Sequence, residues 1–119
     1  MRVWACWFLL LCMLASTGCG KKKTTDELIE DLKSSDEKDR IAAARLLTSK
    51  KEDAAKVVPA LIEALKDKEG DVRRSVVTGL GMFGEDAKGA IPALKAIQVD
   101  DKDARIRSAA SAALARIEK

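Results

Sequence analysis

The sequence predicts an all-α fold, a short solenoid of about three stacked helix–turn–helix repeats. The first observation is a period of about 33 residues in residues 24–119. The second is a motif, Val-Pro-Ala-Leu at 58–61, that recurs as Ile-Pro-Ala-Leu at 91–94. The third is an apolar spacing of three and four residues in the second helix of each repeat. The residues that recur with the period are Leu28, Leu61 and Leu94; Arg40, Arg73 and Arg107; and Leu47, Leu80 and Leu114.

Each repeat is predicted to contain two helices. Their ranges are 26–33 and 37–49, then 59–66 and 70–83, then 92–98 and 104–118. Thr24 and Glu27 have the spacing of a capping box at the start of the array. Pro59 and Pro92 are predicted in the first turn of a helix, where a missing N–H costs no hydrogen bond. An acidic residue, favourable to the helix dipole, stands where each second helix begins: Asp36, Glu69 and Asp103.

A run of glycines closes the second helix of the middle repeat, at Gly79, Gly81 and Gly84. A phosphate-binding loop would follow a strand, open a helix and continue into Lys-Ser or Lys-Thr. This run closes a helix instead, and no such pair follows it. We therefore expect it to allow close helix packing and to cap the end of the helix.

The first 18 residues have the pattern of a secretory signal peptide. Arg2 supplies a minimal basic region, and residues 3–14 are apolar but too few to span a bilayer core. Small residues then lead to Cys19, and this end resembles a bacterial lipoprotein signal, with Gly18-Cys19 at its two strictest positions and Ser16 where leucine is usual. The resemblance implies cleavage before Cys19 and acylation of that residue. The alternatives are an ordinary export signal cut nearby and an uncleaved anchor.

Residues 19–23 are then predicted to be a lipidated cysteine and a short tether. Cys6 and Cys12 would be removed with the signal, so Cys19 would be the single cysteine left and no disulfide could form within the mature chain. Lys21, Lys22 and Lys23 would lie near the lipid headgroups, or would act as a solubilising spacer.

The composition argues against several classes of function. The 22 basic and 19 acidic residues nearly balance, which does not suit a nucleic-acid-binding protein. Histidine and tyrosine are absent, and Phe83 is the one aromatic residue beyond the first ten positions. We therefore expect no catalytic residues, no cofactor and no metal site. The carboxylates of Asp100, Asp101 and Asp103 lack the glycine and the distant glutamate of a calcium loop, and a helix-capping turn is the preferred interpretation.

The repeat resembles the bacterial HEAT-like repeat family, an armadillo-like superhelix. Residues 59–61 (Pro-Ala-Leu), Asp67, Val72-Arg73 and residues 79–81 (Gly-Leu-Gly) match its unit. The first repeat departs from it, with Asp26 in place of proline and Asp39 in place of valine, and the third ends in Ala-Leu-Ala. The resemblance covers residues 24–119 as one repeat domain. It implies a scaffold that binds partners, with the second helices lining the inner face.

The arginines Arg40, Arg73 and Arg107 form a ladder, with one arginine on each second helix. They could bind anions, but a charge at a fixed place in every repeat suits stacking better than a single ligand. We expect them to pair with acidic residues of the turns, such as Asp67 and either Asp100 or Asp101, and so to tie neighbouring repeats together.

The inner face is the candidate surface for a protein or peptide partner, although an ordinary solvated face is an open alternative. By helical-wheel position it includes Arg45, Arg74, Thr78, Met82 and Ser108, beside Ile41 and Ala112.

The predicted function is a non-catalytic interaction scaffold, lipid-anchored in a bacterial cell envelope and facing the periplasm or the exterior. One alternative is a module of the lyase type, which attaches chromophores in some members of the resembled family. Another is a structural unit that self-associates through its terminal repeat, if Ala109, Ala112, Ala113 and Ile117 face outward.

Overall fold

The computed structural model describes residues 21–119, so the predicted signal peptide and Cys19 lie outside the described residues. The described chain has six α-helices and no strand. We number the helices α1 (Thr25–Asp31), α2 (Glu37–Leu47), α3 (Ala54–Ala64), α4 (Gly70–Phe83), α5 (Ile91–Asp100) and α6 (Ala104–Ile117). Two 3₁₀ segments, Lys51–Asp53 and Gly84–Ala90, lead into α3 and α5.

The helices form two layers. The second helices α2, α4 and α6 lie side by side, with α4 in contact with both of its neighbours. The first helices form the other layer, in which α1 contacts α3 and α3 contacts the 3₁₀ segment that leads into α5. Each first helix also packs on the second helix of its own repeat. The predicted all-α solenoid of three helical pairs is therefore confirmed.

The core lies between the two layers and contains the periodic leucines. Leu28, Leu61 and Leu94 occupy equivalent buried places on the first helices. The second helices contribute their own equivalent set, Leu47, Leu80 and Leu114, which are also buried. Because burial of apolar surface is the main favourable term in folding, the recurrence of these residues explains why the repeats stack in one register.

Three of the predicted signals at the helix starts form side-chain hydrogen bonds in the structure, whereas Glu69 precedes α4 without one. The Thr24 hydroxyl accepts the Glu27 N–H at 3.3 Å, and the Glu27 carboxylate accepts the Thr24 N–H at 2.7 Å, which completes the capping box. Asp36 and Asp103 precede α2 and α6, and each accepts the N–H two residues further on. These bonds satisfy amide groups that have no partner inside a helix.

Pro59 was predicted in the first turn of a helix, and this prediction is wrong. Helix α3 begins at Ala54, so Pro59 lies inside it. Val57 and Val58 are buried and extend the apolar face one turn upstream, which favours the longer helix. The proline is tolerated because Pro59 and Ala55, whose carbonyl loses its usual N–H partner, are both exposed to water. Pro92, by contrast, does lie in the first turn of its helix.

The glycine run acts as expected, in packing and in capping. A Cβ on Gly79 would lie 3.0 Å from the Thr48 side chain, and one on Gly81 would lie 3.1 Å from Ala113. Glycine at these two positions therefore allows α4 to approach both α2 and α6. Gly84 ends α4 with a φ of 57°, a backbone conformation that residues with a Cβ disfavour.

In the described part of the chain, no helix is both long and apolar enough to cross a membrane.

Candidate partner-binding surface and arginine ladder

A shallow depression of about 380 Å³ lies between α2 and α4, on the layer of second helices. We call it the α2–α4 depression. It is lined by Arg45, Thr48, Arg74, Ser75, Thr78, Gly79 and Met82. It therefore combines charged, hydroxyl and apolar groups on one surface.

The helix geometry explains which residues line the depression. Arg74, Thr78 and Met82 are four residues apart, so their side chains lie along one side of α4. Gly79 lies one residue after Thr78 and carries no side chain to fill the space, which leaves a floor of backbone and of the Thr48 side chain. The depression thus results from the same close approach of α2 and α4 that Gly79 allows.

Its polar groups are accessible. Arg45 is exposed, and Arg74 makes a loose ion pair with Asp71 of its own helix, at 3.4 Å, while remaining about half exposed. An ion pair of this kind contributes little, so it leaves the Arg74 guanidinium free to bind another group. Met82, which lines the same depression, is 47% exposed. The surface is therefore suited to a ligand that carries both carboxylate and apolar groups.

Four of the five residues predicted for partner binding line the depression: Arg45, Arg74, Thr78 and Met82. Ser108 is exposed on α6 and is not among its lining residues. Ile41, which the wheel placed on the exposed side, is partly buried and packs against the core, while Ala112 is exposed. The helical-wheel prediction did not include Thr48, Ser75 and Gly79. It considers one helix at a time, whereas the depression depends on how close two helices lie.

Arg40 connects the first repeat to the second. Its Nε donates to a carboxylate oxygen of Asp67 at 2.7 Å, and its Nη2 donates to the other at 3.3 Å. Its Nη1 donates to the carbonyl oxygens of Ser34 and Ser35, in the turn of its own repeat. One guanidinium therefore joins the turn of its own repeat to the turn of the next.

Arg73 repeats the same arrangement between the second and third repeats. Its Nε and Nη2 donate to the two carboxylate oxygens of Asp101 at 2.8 and 3.1 Å, and its Nη1 donates to the carbonyls of Asp67 and Lys68. Of the two carboxylates considered from the sequence, Asp101 is thus the partner and Asp100 is not. The hydrogen bond from Arg73 holds the pKa of the Asp101 carboxyl below its usual value, and burial opposes this effect. The same bond raises the pKa of Arg73.

Arg107 differs from the expected ladder, because it pairs with no carboxylate in the described chain. Its Nη1 donates to the Asp101 carbonyl at 2.6 Å, one bond to its own turn where Arg40 and Arg73 each make two. The acidic partner is missing because no further turn of the described chain packs beyond α6.

The acidic turn before α6 is a capping and pairing element. Asp101 accepts Arg73 and the Asp103 N–H, and Asp103 accepts the Arg105 N–H and side chain. The hydrogen bonds from Arg105 hold the pKa of the Asp103 carboxyl below its usual value. Within residues 21–119 no group of histidine, cysteine and acidic side chains has the arrangement of a metal site.

Lys23 of the tether contacts α1. Its ammonium lies 2.6 Å from the Asp31 carboxylate, and this hydrogen bond raises the pKa of Lys23. Lys21 and Lys22 are exposed next to it.

The terminal helix α6 presents few large apolar groups. Ala113 and Ile117 are buried and Ala109 is partly buried, so only Ala112 of the four residues proposed for self-association is exposed. Lys95 and Glu118 form an ion pair at 3.5 Å between α5 and the residue after α6.

Comparison with known proteins agrees with the repeat architecture. The family model described as HEAT repeats matches residues 25–115, which include all or part of each of the six helices. No curated protein matches the chain significantly. Because the matched region covers most of the sequence and coincides with the stacked helical pairs, the chain belongs to the HEAT repeat family.

Proposed function

We propose that this protein is a non-catalytic scaffold, anchored to a bacterial membrane by lipid, that binds a partner protein through the α2–α4 depression. HEAT repeats commonly serve as protein-interaction scaffolds, and in solenoids the extended surfaces formed by stacked repeats are the binding surfaces. The observation that carries the proposal is the grouping of Arg45, Arg74 and Met82 around one accessible depression.

The chemistry of the depression defines the partner class. Arginine and methionine are enriched in protein interfaces, because a guanidinium forms several hydrogen bonds and a thioether adapts its shape to an apolar group. Two guanidinium groups in the same depression as Met82 favour a segment that carries both a carboxylate and an apolar side chain. A short helix or an extended peptide of that composition fits a shallow surface of this kind.

Reversing the charge of Arg74 is expected to weaken partner capture. In a pull-down from detergent-solubilised membranes, Arg74→Glu should reduce the yield of partner by about tenfold or more, because the new carboxylate repels the carboxylate of the partner. A tenfold loss corresponds to about 1.4 kcal/mol of binding free energy. Quantitative mass spectrometry of the captured proteins measures the ratio to the wild type.

Arg105→Glu is the matched control, because Arg105 is also an exposed arginine paired with a nearby aspartate, but it lies on α6 outside the depression. Its yield should equal that of the wild type. A partner captured equally by both variants would place binding elsewhere. Thermal melting of both variants checks that neither change disturbs the fold.

The proposed membrane attachment depends on Cys19. The residues from Gly18 onward support it, because Gly18-Cys19 has the form of a lipoprotein cleavage site and the first helix starts only six residues later. A tether of five residues reaches at most about 17 Å, which would keep the repeats close to the headgroups. The exposed Lys21 and Lys22 could then interact with anionic lipid, while Lys23 is engaged by Asp31.

Cys19→Ser is expected to abolish acylation and to release the protein from the membrane fraction. Bacteria that express the chain would be grown with a labelled fatty acid, and the label in the purified protein would be measured. Cys12→Ser is the control, since Cys12 lies in the predicted signal peptide, and it should keep wild-type labelling. Fatty-acid label that persists in Cys19→Ser would show that the lipid is attached at another residue.

A further inference from the structure

The last helix of the described chain, α6, carries a guanidinium at the position of the two that hold neighbouring repeats together. Arg107 has the same position on α6 as Arg40 on α2 and Arg73 on α4. In Arg40 and Arg73, Nη1 donates to the turn of the arginine's own repeat, and Nε and Nη2 donate to the carboxylate of the next turn. Arg107 makes the first of these bonds, through Nη1 to Asp101 O at 2.6 Å. Arg40 and Arg73 each donate from Nη1 to two carbonyls of the turn, and Arg107 donates to one, so its backbone-facing half makes part of the ladder contact.

The other half of the Arg107 guanidinium is open. Its Nε and Nη2 have no hydrogen-bond partner within residues 21–119. Every buried side-chain nitrogen or oxygen in that part of the chain has a hydrogen-bond partner. Arg107 is half-buried, so its two nitrogens without a partner are not among the buried atoms and are open to solvent. A fork of two N–H groups held in this way matches the two oxygens of one carboxylate.

The internal pairs show what kind of carboxylate fits. Asp67 and Asp101 each stand two residues before the residue that precedes a helix, and each also accepts the N–H two residues further on, at 2.9 Å in both turns. The arginine fork therefore binds an aspartate that is held by its own turn at a helix start. An ordered carboxylate of this kind loses little side-chain entropy when it pairs.

A second copy of this chain, stacked head to tail, does not provide that group. The residue equivalent to Asp67 in the first repeat is Ser34, whose hydroxyl accepts the Asp36 N–H at 3.2 Å in the same turn geometry. A neutral hydroxyl there cannot replace the ionised carboxylate that the fork binds.

Two positions of the third repeat are polar where the second repeat is apolar. Val77 and Leu65 are buried, and their equivalents one repeat later are Ser111 and Gln98, which are exposed and joined by a hydrogen bond of 2.9 Å. A group that docks here would therefore be held mainly by the charged fork and not by a continued apolar core.

We propose that the Nε–Nη2 edge of Arg107 is a binding site for the side-chain carboxylate of an acidic helix-start turn on a different protein. The site lies on α6, so it is separate from the α2–α4 depression and does not depend on the function proposed for that surface.

The test is a titration of the arginine side chains by nuclear magnetic resonance. The full chain, labelled with ¹⁵N and held in non-ionic detergent micelles, is titrated at neutral pH with the acetylated and amidated peptide Asp-Lys-Asp-Ala. This peptide has the sequence of residues 101–104, the turn whose first aspartate Arg73 binds. A second peptide with asparagine in place of the first aspartate is the control ligand.

The Arg107 Nε–H resonance should saturate at a peptide concentration at least about fivefold lower than the resonances of the exposed arginines, because a fixed fork binds a carboxylate better than a mobile one. Those exposed arginines are Arg45, Arg74, Arg105 and Arg116. With the asparagine peptide, the Arg107 resonance should saturate no earlier than those of the exposed arginines. Arg40 and Arg73, which are already paired, should not shift.

Arg107→Lys distinguishes binding by the two N–H groups of the guanidinium from attraction to any positive charge. The variant keeps the charge but not the two-pronged geometry, so the peptide-induced shift of the neighbouring Ser108 amide should disappear. Retention of that shift, or an Arg107 response equal to that of the exposed arginines, would overturn the proposal. Sedimentation velocity at the same concentration should show one chain per micelle, and association that depends on Arg107 would assign the site to a second copy instead.

Discussion

Leu80→Ala is expected to lower the free energy of unfolding by about 2–5 kcal/mol, the cost of a large-to-small change in a packed core. Leu80 is completely buried on α4, the helix that contacts both α2 and α6. Removing its side chain leaves a cavity that α4 cannot readily close, since Gly79 and Gly81 already bring it to close contact with both neighbours. Urea denaturation followed by far-ultraviolet circular dichroism measures the change.

Leu46→Ala is the matched control, because it deletes the same atoms from a leucine that is 52% exposed. It should change the stability by no more than about 0.5 kcal/mol. If the two variants lost equal stability, the assigned register, in which the periodic leucines form the core, would be wrong.

The sequence predicts the core well because equivalent residues of the three repeats lie in the same environment. Leu80 recurs with Leu47 and Leu114, and each is buried on the equivalent side of a second helix. A position that stays apolar in every repeat must face the neighbouring layer, so periodicity alone assigns it. The middle second helix was predicted as 70–83 and has those bounds in the structure, because an acidic residue precedes it and a glycine with positive φ ends it.

The start of α3 was harder to predict, because a proline gave the wrong signal. A proline in such a sequence most often marks the beginning of a helix. Here the buried Val57 and Val58 extend the helix upstream of Pro59. Tertiary burial outweighs the loss of one hydrogen bond when the affected turn is open to water. The sequence around Pro92 has the same Pro-Ala-Leu motif and yet follows the usual rule, since the 3₁₀ segment Gly84–Ala90 occupies the preceding turn.

The candidate site could be predicted only in part, because it depends on distances between helices. The spacing of Arg74, Thr78 and Met82 places them on one side of α4, and this required only the helical period. The contribution of Thr48 from α2 depends on the close approach at Gly79, which the sequence suggests but does not measure. In the same way, the choice of Asp101 over Asp100 is made by the turn, where Asp101 also accepts the Asp103 N–H.

Arg73→Ala is expected to lower the free energy of unfolding by about 3–5 kcal/mol, as is usual when one partner of a buried ion pair is removed. The Arg73 and Asp101 side chains are only 10% and 5% exposed, so the substitution leaves a buried carboxylate without its counter-charge. It also removes the donors to the Asp67 and Lys68 carbonyls. Urea denaturation at neutral pH measures the loss. Arg74→Ala is the control for the adjacent exposed arginine, and it should change stability by no more than about 0.5 kcal/mol.

The pH dependence of the Arg73→Ala effect identifies its cause. Arg73 lowers the pKa of Asp101 in the folded protein below its ordinary value of 3.8, so the folded state binds fewer protons than the unfolded state in this range. The stabilisation by the pair is therefore complete above about pH 4 and is lost as the pH falls through the lowered pKa of Asp101. The difference in stability between the wild type and Arg73→Ala should be largest at neutral pH and should shrink below about pH 4. A difference that stayed constant down to about pH 2 would attribute the effect to lost packing and backbone hydrogen bonds, and not to the ion pair between the second and third repeats.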